Sequence, residues 1–92
     1  MAASNVWEKD PDAVLDWVWD WSDWLEPGET ITDSLVIVSA GITLDSDAHS
    51  ATSATAWLSG GTPGTPYTAT NRITTSAGRI DDRSITVRVK NR

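Results

Sequence analysis

The chain's single histidine, His49, follows Asp45 and Asp47 at alternate positions, and alternate residues of an extended chain share a face. Oxygen and nitrogen ligands could converge there. Calcium, however, takes six to eight oxygens, and zinc draws four ligands largely from Cys and His. With no cysteine and no second histidine in the sequence the set falls short, and Asp47–Ala51 reads as a solvated loop. Asp16 and Asp20 form a carboxylate pair, but on a strand face with no evident cleft. Ser59-Gly60-Gly61-Thr62 lacks the lysine and the following helix of a phosphate-binding loop. No Gly-x-Ser-x-Gly element is present, which removes the nucleophile elbow of the serine hydrolases. The residue types argue against an enzyme, and no catalytic residue, cofactor or metal ligand is assigned.

The indoles are the next candidates. There are six tryptophans, one tyrosine and no phenylalanine. Exposed tryptophans stack on sugars, so a carbohydrate-binding module is one reading. The other is a core built from indoles because no phenylalanine can build it, and burying an aromatic side chain is worth about 1.5–3 kcal/mol. Leu15, Trp17, Trp19 and Trp21 share one parity, with Val14, Asp16, Val18 and Asp20 on the other, so core is favoured for most of them. Trp7 and Trp24 fall outside the pattern and are candidate interface anchors, a role in which tryptophan is enriched. Contacts are expected on the Met1–Asp12 arm with Trp7, on the Ser22–Glu29 turn with Trp24 and Pro27, and on the Arg79–Arg83 turn with Arg79, Asp81 and Arg83. Asp81-Asp82 between Arg79 and Arg83 reads as a local salt-linked turn, and exposed pairs of this kind contribute little.

These residues need elements to hold them. Residues 1–12 show no period and read as an N-terminal arm ordered by something else, such as a neighbouring chain. Residues 13–92 read as one domain. Ala13–Trp21 alternates as a strand. Pro27-Gly28 signals a turn. Thr30–Val38 is a second strand with an irregularity near Asp33-Ser34, and Gly41–Ser46 a short third. Thr52–Ser59 and Thr65–Thr75 flank the glycine- and proline-rich turn 60–64. Ser76–Arg79 is a turn, and Arg83–Lys90 closes the domain. Six or seven short strands without a helical segment predict an all-β sandwich. Gly64-Thr65-Pro66-Tyr67 at a strand entry resembles the tyrosine corner of immunoglobulin-like and fibronectin type III sandwiches, in which the hydroxyl bonds nearby backbone. An ordinary hairpin with a surface tyrosine is the other reading.

A length of 92 residues suits one domain. The net charge of −6 disfavours nucleic acid. No run approaches the roughly 20 apolar residues of a membrane span, and the first residues lack the basic and apolar regions of a signal peptide. The expectation is a soluble protein made inside the cell. Residues 1–47 hold eleven acids against Lys9 (−10), and residues 48–92 hold Asp81 and Asp82 against six basic residues (+4). Either the halves neutralise each other inside the fold, or the chain carries an acidic and a basic face through which copies dock head to tail.

Asp10–Asp16, Asp20-Trp21-Ser22-Asp23-Trp24-Leu25, Ala56–Thr62, Gly64–Thr68, Thr70-Asn71-Arg72-Ile73-Thr74-Thr75, Gly78-Arg79, Asp81-Asp82-Arg83-Ser84 and Thr86-Val87-Arg88-Val89 together resemble the fibre–tail adaptor or minor virion proteins of tailed bacteriophages. The likeness spans about residues 9–90, and the Asp-Trp-Ser-Asp-Trp-Leu and Thr-Asn-Arg-Ile-Thr-Thr runs are its most specific parts. Three indoles at Trp17, Trp19 and Trp21 are heavier than the mixed set the resemblance leads one to expect. The resemblance implies an immunoglobulin-like, non-enzymatic structural component of the virion, made in the host bacterial cytoplasm. It implies tail, fibre, head–tail or capsid proteins as partners, and several copies in a symmetric assembly. A capsid decoration or cement protein would share every visible feature except location.

Overall fold

A computed structural model describes residues 6–10 and 13–90, except for the side chains of Val6 and Trp7. Seven strands form: β1 (Val6–Lys9), β2 (Leu15–Asp20), β3 (Ile31–Val38), β4 (Ile42–His49), β5 (Ser53–Gly60), β6 (Pro66–Thr75) and β7 (Ile80–Val89). They make a four-stranded sheet in the order β1-β7-β6-β3 and a three-stranded sheet in the order β2-β5-β4. No helix occurs among the described residues. The expected all-β sandwich is the architecture found.

Alternation builds the core. Tyr67, Ala69, Asn71, Ile73 and Thr75 of β6 point inward, as do Ile85, Val87 and Val89 of β7 and Ala54, Ala56 and Leu58 of β5. Opposing sheets leave about 10 Å between them, and indoles fill that gap only where their neighbours are small. Trp17 pairs with Ala56 and Trp19 with Ala54, and these two alanines together with Ala69 are fully buried. The volume the indoles add is thus offset by alanines on the adjacent strand. Burial is graded from β2 into the residue that follows it: Trp21 and Trp19 are buried, Trp17 is half-buried, and Leu15, on the same parity, is 38% exposed. Trp19 Nε1 has no hydrogen-bond partner among the described residues, so this indole contributes volume rather than a polar contact.

The corner before β6 is built as the tyrosine motif requires. The Thr62 N–H donates to Tyr67 Oη at 2.8 Å. Gly41 and Gly61 have φ of +98° and +97°, and a Cβ on either would lie 2.8 Å from Tyr67 Cε1 or 2.5 Å from Val89 Cγ2. Both positions therefore require glycine for backbone conformation and for space. The irregularity near Asp33 is a register shift between Ile31 and Asp33.

Three sequence expectations are corrected. β4 does not stop at Ser46 but runs to His49 through a bulge between Leu44 and Ser46, because β5 offers partners for Asp47, Ala48 and His49 in turn. Asp81, Asp82 and Arg83 lie within β7, paired with Ile73, Arg72 and Asn71, not in a turn. The arm is held, over Val6–Lys9, by parallel pairing with β7 of the same chain. Lys9 is buried there, and its Nζ donates to Asp10 O at 2.7 Å and Gly60 O at 2.9 Å. Met1–Asn5, Pro11 and Asp12 lie outside the described residues.

Candidate functional site

One end of the sandwich gathers most of the charged and aromatic residues singled out in the sequence. The segment after β2 folds back over this end, fixed by backbone bonds from Trp24 N and Leu25 N to Trp21 O and from Glu29 N to Glu26 O. Trp24 meets Trp21 edge to face, with centroids 5.3 Å apart and planes at 70°. The Arg79 guanidinium lies 3.9 Å from the Trp24 ring centroid, and the Arg83 guanidinium 4.2 Å from that of Trp21. Cations and rings thus interleave as Arg79, Trp24, Trp21, Arg83, an arrangement the ring quadrupoles favour.

The polar partners are buried with them. Glu29 is 8% exposed. It accepts from Arg79 Nε at 2.9 Å, from Arg79 Nη2, from Thr75 Oγ1 and from the Glu26 N–H at 2.9 Å. Hydrogen bonds from Arg79, then Thr75 and Glu26, hold its carboxyl at about 2, against an ordinary value of 4.5. Arg79 is shifted upward, chiefly by the same bond to Glu29. Arg83 Nη1 donates to Asp20 O, and Trp21 Nε1 to Asn71 Oδ1 at 2.8 Å. Asn71 Nδ2 then donates to Ser34 Oγ and Leu35 O. Both sheets and the β2–β3 connection are joined through this set.

Five of the six expected contact residues therefore lie at this end. Trp24 is half-buried against the core. Arg79 and Arg83 are engaged as described. Pro27 is exposed on the rim of a shallow depression shared with Glu26, Gly28, Ser76 and Ala77. Asp81 is exposed on β7 and accepts from the Asp82 N–H at 2.9 Å. The salt-linked turn expected from Arg79 to Arg83 is replaced by pairings across strands. Asp82 binds Arg72 through Nε at 2.8 Å and Nη2 at 3.1 Å, and Arg79 goes to Glu29. Trp7 pairs along the backbone with Val87, four residues or about 13 Å along β7 from Arg83, and its side chain lies outside the described residues.

Sequence reasoning missed Glu29, Thr75 and Asn71. The signal for Asn71 was present, since it shares the parity of Tyr67, Ala69 and Ile73. Nothing local marked Glu29, whose partners lie 46 and 50 residues away. At the other candidate cluster, Asp45 Oδ1 accepts from Ser59 Oγ, and the His49 ring bonds Ser50 O. No group of three His, Cys, Asp or Glu among the described residues is arranged to hold a metal ion. Among the described residues, Trp57 is an exposed indole, on the outer face of the three-stranded sheet.

The two halves of the chain neutralise each other in part. Glu29–Arg79 and Glu8–Lys90 join the acidic half to the basic half. The three-stranded sheet keeps Asp16, Asp20, Asp45 and Asp47 with no lysine or arginine on its strands, which leaves it acidic.

The fold and this end together define a two-sheet, all-β module whose sheets are tied by buried polar bonds. The family model for the podophage GP4 fiber-tail adaptor protein gp77 matches residues 9–88, and the chain belongs to that family. It is a structural component of the phage virion that binds other virion proteins, and not an enzyme. None of the curated proteins matches the chain.

Proposed function

We propose that the protein joins fibre to tail in several symmetric copies, each using the sandwich end around Pro27 and Asp81 together with the Trp7 arm. It is made in the host bacterial cytoplasm and incorporated during assembly. The observation that carries this reading is the Glu29–Arg79–Trp24–Trp21–Arg83 network. An adaptor must present its contact surface without paying to order it on binding, and here an otherwise irregular connection is locked by buried bonds. Trp24, Arg79 and Arg83 hold the shape of the surface, and the exposed Pro27 and Asp81 meet the partner. Residues 1–12 form the arm and residues 13–92 the body. The Tyr67 corner supports kinship with immunoglobulin-like sandwiches. Sugar stacking needs two coplanar exposed indoles, which do not occur among the described residues.

Phage carrying Pro27→Ala with Asp81→Ala, and separately Trp7→Ala, should yield particles with less of this protein and fewer fibres, while the purified variants keep the wild-type far-UV circular dichroism spectrum and Tm. Normal incorporation of both variants would overturn the interface. Signal for the protein on the capsid shell instead of the tail, in electron micrographs, would make it a decoration protein.

A further inference from the structure

Four strands end the two sheets: β1 and β3 in one, β2 and β4 in the other. An edge strand offers unpaired N–H and C=O groups to any chain it meets, and proteins blunt such edges with short length, charge, bulges or proline. β1 has four residues and includes Glu8 and Lys9. β2 carries Asp16 and Asp20. β4 is bulged after Leu44 and carries Asp45 and Asp47. β3 is bulged between Ile31 and Asp33, and Asp33 Oδ1 takes the Ser34 N–H at 3.0 Å. Beyond Ser34 these devices stop. Leu35-Val36-Ile37-Val38 has no charge, no proline and no bulge, and Leu35 and Ile37 are 52% and 47% exposed.

The direction of the open groups follows from the ladder. The Ser39 N–H donates to Thr68 O on β6. Backbone groups alternate sides along a strand, so Leu35 and Ile37 also turn theirs to β6. Ser34, Val36 and Val38 turn theirs outward, where no other strand pairs with β3 among the described residues.

We propose that a second copy of this chain covers this edge, β3 against β3, antiparallel about a two-fold axis at Val36. In that register Val36 exchanges both backbone bonds with Val36 of the partner subunit, and the Val38 N–H meets the carbonyl of the partner's Ser34. Leu35 lies opposite the partner's Ile37 on the outer face. Asp33 falls opposite the partner's Ser39, so no two acids meet across the seam. The segment is self-complementary, as an isologous contact requires, and the two four-stranded sheets become one of eight strands. The pairing is a property of the purified protein and does not rest on the adaptor reading.

The test is the solution mass of the intact protein by light scattering. The expected result is twice the chain mass for the wild type and the single-chain mass for Leu35→Lys/Ile37→Lys, which sets lysines opposite each other across the seam. Leu35→Glu/Ile37→Glu should also run as a single chain, and a one-to-one mixture of the two variants should regain the doubled mass. Both positions are exposed, so tryptophan emission should be unchanged in each variant. The proposal is overturned by a wild type of single-chain mass at every concentration, by a larger closed oligomer that both variants still form, or by no gain of mass on mixing.

Discussion

At the scale of single residues, Glu29 is held from several sides at once. Its carboxylate is placed against Arg79, Thr75 and the Glu26 N–H, and its value in the folded state is about 2. The unfolded chain protonates this group near 4.5, so the folded state favours the ionised form. The stability it contributes is complete above about 4.5 and is lost as pH falls towards about 2. Glu29→Gln should lower the urea midpoint at neutral pH, and its deficit relative to wild type should shrink as pH is lowered through that window. A deficit that stays constant from pH 7 to pH 2 would show that the charge of Glu29 contributes nothing. Sequence could not single out this residue from Glu26, because its partners at the end of β6 and in the β6–β7 turn come within reach only after the sheets pack.

Among the elements, the turn between β5 and β6 is the least forgiving. Gly61 is in the left-handed region, and a Cβ there would strike Val89 and crowd the Tyr67 ring. Backbone strain and overpacking of this kind each cost about 1–3 kcal/mol. Gly61→Ala should therefore lower Tm, whereas Gly64→Ala, at a position with open space around it, tests backbone strain alone. Equal losses at Gly61→Ala and Gly64→Ala, measured by thermal unfolding, would show that the contact with Val89 does not matter. Most of the strands were legible because alternation is local: Trp17, Trp19 and Trp21 on one parity, Ile85, Val87 and Val89 on another. Errors fell where pairing overrode local signals. Asp47 and Asp81-Asp82 look like loop or turn residues, yet β5 and β6 supply neighbours that continue the ladder.

Over the whole molecule the contacts are long-range. β1 pairs with β7, joining Val6 to Thr86, and β3 pairs with β6 across more than thirty residues. Closing such loops must precede the contacts that reward it, so all-β sandwiches fold in milliseconds to seconds. Stopped-flow refolding followed by tryptophan emission should give a main phase in that range. A dominant microsecond phase would mean that local contacts, not sheet assembly, set the barrier. The charge pattern is also a whole-molecule property. Segregation along the chain is partly cancelled by Glu29–Arg79 and Glu8–Lys90 and partly kept on the three-stranded sheet.

By itself the sequence determined the all-β class, the parity of nearly every strand and the likeness to a family of non-enzymatic virion proteins, since each rests on patterns a few residues long or on whole-chain likeness. Only the tertiary structure decided which indoles are buried, which carboxylate is locked to arginine and which strand edge stays open. Those properties depend on what lies across the sheet: alanines opposite Trp17 and Trp19, Arg79 beside Glu29, and the lack of a strand beyond β3 among the described residues.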